Sequence, residues 1–375
     1  MKKLLTSRQL SMILFISVIS LKFLVFPAIT TKYAGRSAYV SIFLYLLIEL
    51  IIIVFVLLFI NKYSNYTFSE VLTISFGKIF AKIVFSVLFL YFIFKTLFLL
   101  KETHNYFLEV IFDDLPWIYF ILPLMLYISY VMTKSINIMA RTIEILFWFL
   151  IVCIGLTVLA PSYRIDLFNI LPMFENGVMP VINGMIYSSF SFGDFLVLLL
   201  LMGKIDFSNK GLKKICFYGI FCLVFVTAFY VVFTAIFDNT GINHILAISD
   251  ISVRSSYPYT QEKLDWLAIL VWSIVLLFQI GVYAIVTKNC FNEIFEFKNK
   301  YVSVATIATI LFGLSFAFYF NLEILIKIAT SLPFVIVVIS IYIAVLIILI
   351  TTALVLKFKK VDCNNKKHLC GFLEV

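Results

Sequence analysis

The sequence predicts an all-α polytopic membrane protein of about ten transmembrane helices. Three observations predict it. Hydrophobic residues make up 63% of the chain and charged residues 13%, with a mean hydropathy of +1.10, whereas soluble domains run at roughly 45–50% apolar and about 25% charged. The apolar residues are gathered in runs of about 20, the length at which a helix rising ~1.5 Å per residue crosses ~30 Å of hydrocarbon. Basic residues alternate from one connecting segment to the next, as they do when loops lie on opposite sides of a bilayer.

In chain order the runs are Leu10–Thr30, Tyr39–Ile60, Ile79–Leu100, Trp117–Met132, Thr142–Ala160, Asn183–Gly203, Ile215–Phe237, Leu264–Thr287, Val302–Phe320 and Leu332–Leu356. Met1–Gln9 carries Lys2, Lys3 and Arg8 but leads into a full-length apolar segment with no small-x-small cleavage site, so the first run is expected to stay as a helix. The segments on the side of the N-terminus, together with the tail after Leu356, hold 19 Lys or Arg; the opposite side holds seven. Both termini are therefore expected in the cytoplasm. The net charge of +9 is accounted for by this asymmetry and by anionic lipid headgroups, with no need of nucleic acid. The reading is one transmembrane domain over 1–356, with halves at about 10–160 and 183–356, and a cytoplasmic tail at 357–375. Cys153, Cys216, Cys222 and Cys290 lie in or at the ends of apolar runs and read as small buried residues. Cys363, His368 and Cys370 in the tail lack the paired spacing of a zinc site, and no cofactor is expected.

Ionisable groups inside a span cost roughly 2.5–3.5 kcal/mol each and ask for a partner or a purpose. Lys22, Glu49 and Asp194 fall near the middles of the first, second and sixth spans. Lys82, Lys95 and Glu144 fall closer to span ends, where snorkelling to the headgroups is expected. Lys22 and Asp194 each lie in a helix-breaking context, SLKFLVFP with Pro27 and SSFSFGDF with Gly193. These are also the first spans of two five-helix halves. Many transporters are built from inverted repeats whose broken helices bind a ligand near the midplane. The functional reading is a small-ligand pocket lined by Ser20, Leu21, Lys22, Phe98, Ser189, Ser191, Gly193 and Asp194, with Lys22, Glu49 and Asp194 as charge-coupling candidates. A salt bridge that only fixes helix packing is the equal alternative. Gln279 and Tyr283, four apart on one face of the eighth span, are candidates to line the same pocket or to bond between helices.

The three histidines are scattered, and there is no Gly-rich phosphate loop and no H-E-x-x-H, so the residues do not suggest an enzyme. Glu102, His104, Glu109, Asp113 and Asp114 read as a solvated acidic loop, with cation binding the lesser alternative. Segment 161–184, with three prolines and two glycines, reads as an irregular loop over the outer mouth of the pocket, and the long polar segment 238–265 as a lid or a partner-contact surface.

Five stretches resemble one family in order along nearly the whole chain: TSRQL, SLKFLVFPAITTKYAGRSAYVS, ARTIEILFWF, LPMFENGVMPVINGMIYSSFSFGDF and ISVRSSYPYTQEKLDWLAILVW. They resemble the B subunits of spore germinant receptors, the spore permease branch of the amino acid–polyamine–organocation superfamily. The resemblance implies a LeuT-like 5+5 inverted repeat with broken first and sixth helices. It also implies sensing of a small nutrient, with an amino acid expected, in the spore inner membrane, beside an A subunit and a lipoprotein C subunit. The chain departs from the family pattern at Ser37, Trp148 and Asp194, and at Leu21 and Lys22, where the family has small residues. The alternative of the same fold is a proton-coupled amino acid permease; a membrane-embedded transferase is disfavoured by the lack of a His or paired-carboxylate constellation at one face.

Overall fold

In the computed structural model, residues 5–111, 116–175, 177–206, 211–254, 265–297, 299–317 and 322–358 are described. The helices are α1 (Ser7–Lys22), α2 (Phe26–Ala34), α3 (Ala38–Lys62), α4 (Phe68–Phe76), α5 (Lys78–Val110), α6 (Trp117–Thr133), α7 (Ile136–Leu159), α8 (Val178–Tyr187), α9 (Phe195–Leu200), α10 (Gly211–Phe237), α11 (Ala247–Val253), α12 (Asp265–Phe295), α13 (Lys300–Ala317), α14 (Leu322–Ala329) and α15 (Leu332–Phe358). The chain is an all-α polytopic membrane protein. Among the described residues seven helical segments are long and apolar enough to cross a membrane, and the bent pair α8–α9 raises that to eight. The first expected span is divided between α1 and α2, and the fourth is the 17-residue α6. Asp113, Asp114 and the tail cysteines with His368 lie outside the described residues, as does nearly all of the expected tail.

Burial sorts the helices. Leu10 through Thr31 is buried without exception, and so is all of α9. A helix that is apolar all round is either packed in protein or set in lipid, and α1 and α9 are packed at the centre. By contrast α3 and α15 leave Ile51, Leu58, Ile347 and Leu354 about half exposed, on faces suited to lipid chains.

The two broken spans run antiparallel. At one end the residues before α1 pair with those after α9 in a two-residue parallel ladder, β1 (Leu5–Thr6) with β2 (Ile205–Asp206), in the register Leu5 to Ile205. At the other end α2 meets α8, where the Tyr33 and Tyr187 rings stack at 4.0 Å and Thr30 Oγ1 shares a hydrogen bond with Ser188 Oγ at 2.8 Å. The interruptions, at Phe23–Val25 and between Tyr187 and Phe195, are thereby brought side by side.

Two segments expected as loops are ordered. Thr67 and Glu70 form a capping box, Thr67 Oγ1 accepting from Glu70 N and Glu70 Oε2 from Thr67 N, which starts α4 inside the second connection. Helix α5 continues ten residues past Leu100 to Val110. The acidic loop expected there is corrected: Glu102 and His104 are buried in helix, His104 packing edge-on to Phe120 at 5.2 Å. KETHNYFLEV has no helix breaker, so the helix runs on, burying Glu102 and His104 while Glu109 near its end stays exposed.

The segment after α10 folds back through α11, whose first amides donate into the first break: Ala247 N to Leu24 O at 3.1 Å and Ile248 N to Phe23 O at 3.2 Å. Asp250 on α11 faces His244, whose Nδ1 is 3.3 Å from Oδ2, as well as Arg254 and Glu109. Burial pushes the Asp250 carboxyl up to about 6, against the pull of Arg254, from an ordinary value of about 3.9. A raised carboxyl costs stability when it ionises, so the cost is absent below about pH 4 and grows as pH rises through about 6. The amides of Ala247 and Ile248 are therefore expected to exchange more slowly, relative to intrinsic rates, at pH 5 than at pH 7. Asp250→Asn should abolish that difference, measured by hydrogen exchange and mass spectrometry.

Candidate functional site

Where the two breaks meet, four charged side chains are buried together: Lys22 at the end of α1, Glu49 midway along α3, Lys95 on α5 and Asp194 at the start of α9. Lys22 Nζ donates to Ser191 O at 2.9 Å and to Asp194 Oδ2 at 3.3 Å, lies 3.8 Å from Glu49 Oε2, and sits 4.4 Å over the Phe192 ring. Lys95 Nζ donates to Phe192 O at 2.6 Å and lies 3.8 Å from Asp194 Oδ1. Tyr283 on α12 donates its hydroxyl to the same Oδ1 at 3.1 Å. Two ammonium groups and two carboxylates cancel, which is the condition for holding four charges out of water.

The sixth break has positive φ at Gly193 (90°) and leaves backbone groups without helical partners. The chain satisfies them itself. Glu49 Oε1 accepts from the amides of Gly193 (3.0 Å) and Asp194 (3.1 Å). Phe192 O accepts from Lys95 and lies 3.0 Å from Tyr91 Oη and 2.9 Å from Tyr342 Oη, the single Tyr342 proton being shared between Phe192 O and Ser189 O, 3.2 Å away. The first break is served likewise, with Val25 N donating to Glu102 Oε1 at 3.2 Å and α11 supplying donors to its carbonyls. Unpaired backbone in a low-dielectric interior costs several kcal/mol per group, and here carboxylates, ammoniums and phenols carry that load.

Of the residues singled out from sequence, Lys22, Glu49, Ser191, Gly193, Asp194 and Tyr283 are joined in this network. Ser20, Leu21, Phe98, Ser189 and Gln279 are buried beside the same helices. Phe98 packs its ring 5.3 Å from Phe190 and 6.0 Å from Phe26. Ser191 Oγ is spent on Ser188 O at 2.8 Å, while the Ser20 and Ser189 hydroxyls and both polar atoms of Gln279 have no hydrogen-bond partner of good geometry. The expectation of snorkelling is corrected for Lys95, which is completely buried because the Asp194 carboxylate and the Phe192 carbonyl lie within reach. Lys82 does reach a surface partner, 3.0 Å from Glu296, and Glu144 accepts from Gln9 at 2.9 Å.

Sequence reasoning missed Tyr91, Lys95, Glu102 and Tyr342. A signal was present for three of them: Tyr91, Lys95, Phe98 and Glu102 follow one another at four, three and four residues, a single face of a helix. Tyr342 stands alone in the most apolar run and carries no such pattern.

Two cavities adjoin the cluster's helices. One of about 30 Å³, room for one water, is lined by Ser11, Phe15, Glu49 and Cys222 between α1, α3 and α10. Another of about 180 Å³, lined by Thr67, Ser69, Lys204, Asn289 and Glu293, lies past the end of α9. No cluster of three His, Cys, Asp or Glu suited to a metal occurs among the described residues.

The chain is 24% identical over 307 residues to spore germination protein KB of Bacillus subtilis (strain 168), covering 78% of this chain and 79% of that protein. A family model described as spore germination protein matches residues 4–323. On a match of that extent, the chain belongs to the spore permease family of spore germination proteins.

Proposed function

We propose that this chain is the transmembrane B subunit of a spore germinant receptor, which senses a small nutrient, an amino acid by preference, and acts with an A subunit and a lipoprotein C subunit in the spore inner membrane. The observation that carries the reading is the charge-balanced cluster at the junction of two broken spans, in a member of a spore germination family. A ligand that engages Lys22 or Asp194 must unseat its partner, and an unpartnered buried charge costs enough to drive neighbouring helices into a new arrangement. Ligand binding is thereby converted into movement without passage of a solute. In this reading the domain over 1–356 is a LeuT-like pair of inverted halves with both termini cytoplasmic; the antiparallel course of α1–α2 and α8–α9 supports the repeat.

The test is deletion of the gene followed by germination of the spores across a nutrient panel. Loss of the response to one nutrient class, with the others intact, is the expected result; an unchanged panel overturns the reading. A proton-coupled permease is the second reading, favoured by Glu49, whose Oε2 has no hydrogen-bond partner and which borders the one-water cavity. Purified protein that carries labelled amino acid into vesicles without partner subunits would establish it.

A further inference from the structure

The connection between α7 and α8 carries apolar side chains that no span covers. Phe168 is 83% exposed and Leu167 66%, and Leu171, Met173, Val178 and Met179 are each at least half exposed. Exposed apolar residues in such a group mark a surface that meets something other than water. Local geometry sorts them to one side. Leu167–Ile170 is a single 3-10 helical turn capped by Asp166, whose Oδ1 accepts from Phe168 N at 2.9 Å. Three residues to a turn put Asp166 and Asn169 on one edge and Phe168 and Leu171 on another. The polar edge is held by α10, since Asp166 N and Asn169 Nδ2 both donate to Ala235 O, at 3.2 and 3.0 Å.

What covers the apolar edge follows from its depth and its neighbours. Ala235 lies in the last turn of α10, a helix long and apolar enough to span, so the 3-10 turn sits where a span reaches the headgroups and the upper acyl chains. Its apolar edge also continues a lipid-facing stripe: Ile145, Val152, Leu156 and Leu159 are exposed along one face of the spanning helix α7, and Leu159 is its last residue. On the opposite side the connection grips the turn after α2. Phe174 N donates to Ser37 Oγ at 3.1 Å, and Arg36 Nη1 donates to Leu171 O at 3.4 Å and lies 3.8 Å from Glu175 Oε2. We infer that residues 162–175 form a strap lying in the membrane interface, with Leu167, Phe168 and Leu171 set among phospholipids, which ties the position of α2 to the bilayer. Lipid packing at this level then bears on how α2 seats against α8, at the far end of the two broken spans. The strap stands whether or not the chain senses a nutrient.

The experiment uses the full-length chain in lipid nanodiscs, with Phe168→Trp adding emission at the turn that is read as the difference from the parent chain. Phospholipids brominated near the headgroup end of their acyl chains are expected to quench most of the added emission, and acrylamide in the water little of it. Quenching by acrylamide with none by brominated lipid overturns the strap and makes the patch a water-facing surface for a protein. The tie to α2 is read by hydrogen exchange in the same nanodiscs. Leu167→Asn combined with Phe168→Asn is expected to speed exchange at the amides of Gly35, Ala38 and Phe174, which bond to Thr31 O, Gly35 O and Ser37 Oγ, by roughly tenfold, as a segment released from its anchor opens more often. Both side chains are exposed, so neither substitution removes core packing. Leu167→Phe combined with Phe168→Leu keeps the apolar edge and should exchange like the parent. Parent-like exchange in the Asn pair overturns the tie to α2. So does equal loosening in the two pairs, which would trace the effect to side-chain shape and not to contact with lipid.

Discussion

Lys22→Met is expected to destabilise the protein by about 3–5 kcal/mol, the cost of removing one partner from a buried ion pair. The substitution keeps most of the volume of the side chain but leaves Glu49 and Asp194 facing Lys95 alone, one uncompensated negative charge in a region with no exposure to water. It also strips Ser191 O of its donor. The second substitution that should repair this is Glu49→Gln, since a carboxamide oxygen can still accept from the amides of Gly193 and Asp194 while charge balance returns to Lys95 and Asp194. The double variant is expected to recover more than half of the loss, a coupling that a cycle of unfolding free energies in mixed micelles would measure. Equal destabilisation in the single and the double variant would mean that Lys22 matters for its bond to Ser191 O and its packing on Phe192, not for its charge. In spores that depend on this chain, unaltered germination by Lys22→Met with every nutrient would remove Lys22 from the ligand site.

How much of this was legible in the sequence follows from what each residue announces by itself. A lysine in SLKFLVFP and an aspartate in SSFSFGDF are conspicuous because nothing polar surrounds them, and a Gly or Pro nearby marks an interruption. Their juxtaposition across 172 positions depends on the antiparallel course of the two broken spans, which the β1–β2 pairing and the Thr30–Ser188 contact secure and no local pattern encodes. Lys95 was misplaced because distance along a run measures depth in the bilayer only if the helix ends where the run ends. Helix α5 extends to Val110, which carries Lys95 inward and turns Glu102 from a loop residue into the cap of a break. That the chain is an all-α polytopic membrane protein was readable because hydropathy is additive over about 20 residues. Which backbone groups those spans leave open, and which side chains fill them, is set by contacts between residues far apart in the chain.

The tightest point of the site predicts the sharpest steric effect. A Cβ on Gly193 would lie 2.6 Å from Tyr342 Oη, 2.7 Å from Tyr342 Cε1 and 2.7 Å from Tyr91 Oη, on a residue whose φ of +90° is unfavourable for any L side chain. Neither tyrosine can simply swing aside, because both hydroxyls lie within hydrogen-bond distance of Phe192 O and of each other, sharing their two protons among these contacts. Backbone strain of about 1–3 kcal/mol and overpacking of about 1–3 kcal/mol together put Gly193→Ala at roughly 2–6 kcal/mol of lost stability. Gly184→Ala separates the two causes. Its Cβ would meet Ser41 Oγ at 2.7 Å and the Ala34 Cβ at 2.8 Å, a comparable clash without positive φ and away from the ionic cluster. Gly155→Ala, with nothing within 4 Å, is the neutral control. Both tight variants should lower the melting temperature, with Gly193→Ala the larger. Gly193→Ala alone should shift the amides of Gly193 and Asp194 off Glu49, because the clash falls on the residue that presents them. If Gly193→Ala melts like Gly155→Ala, the close approach of Tyr91 and Tyr342 to the sixth break is wrong. The three donors on Phe192 O would then have to be reassigned.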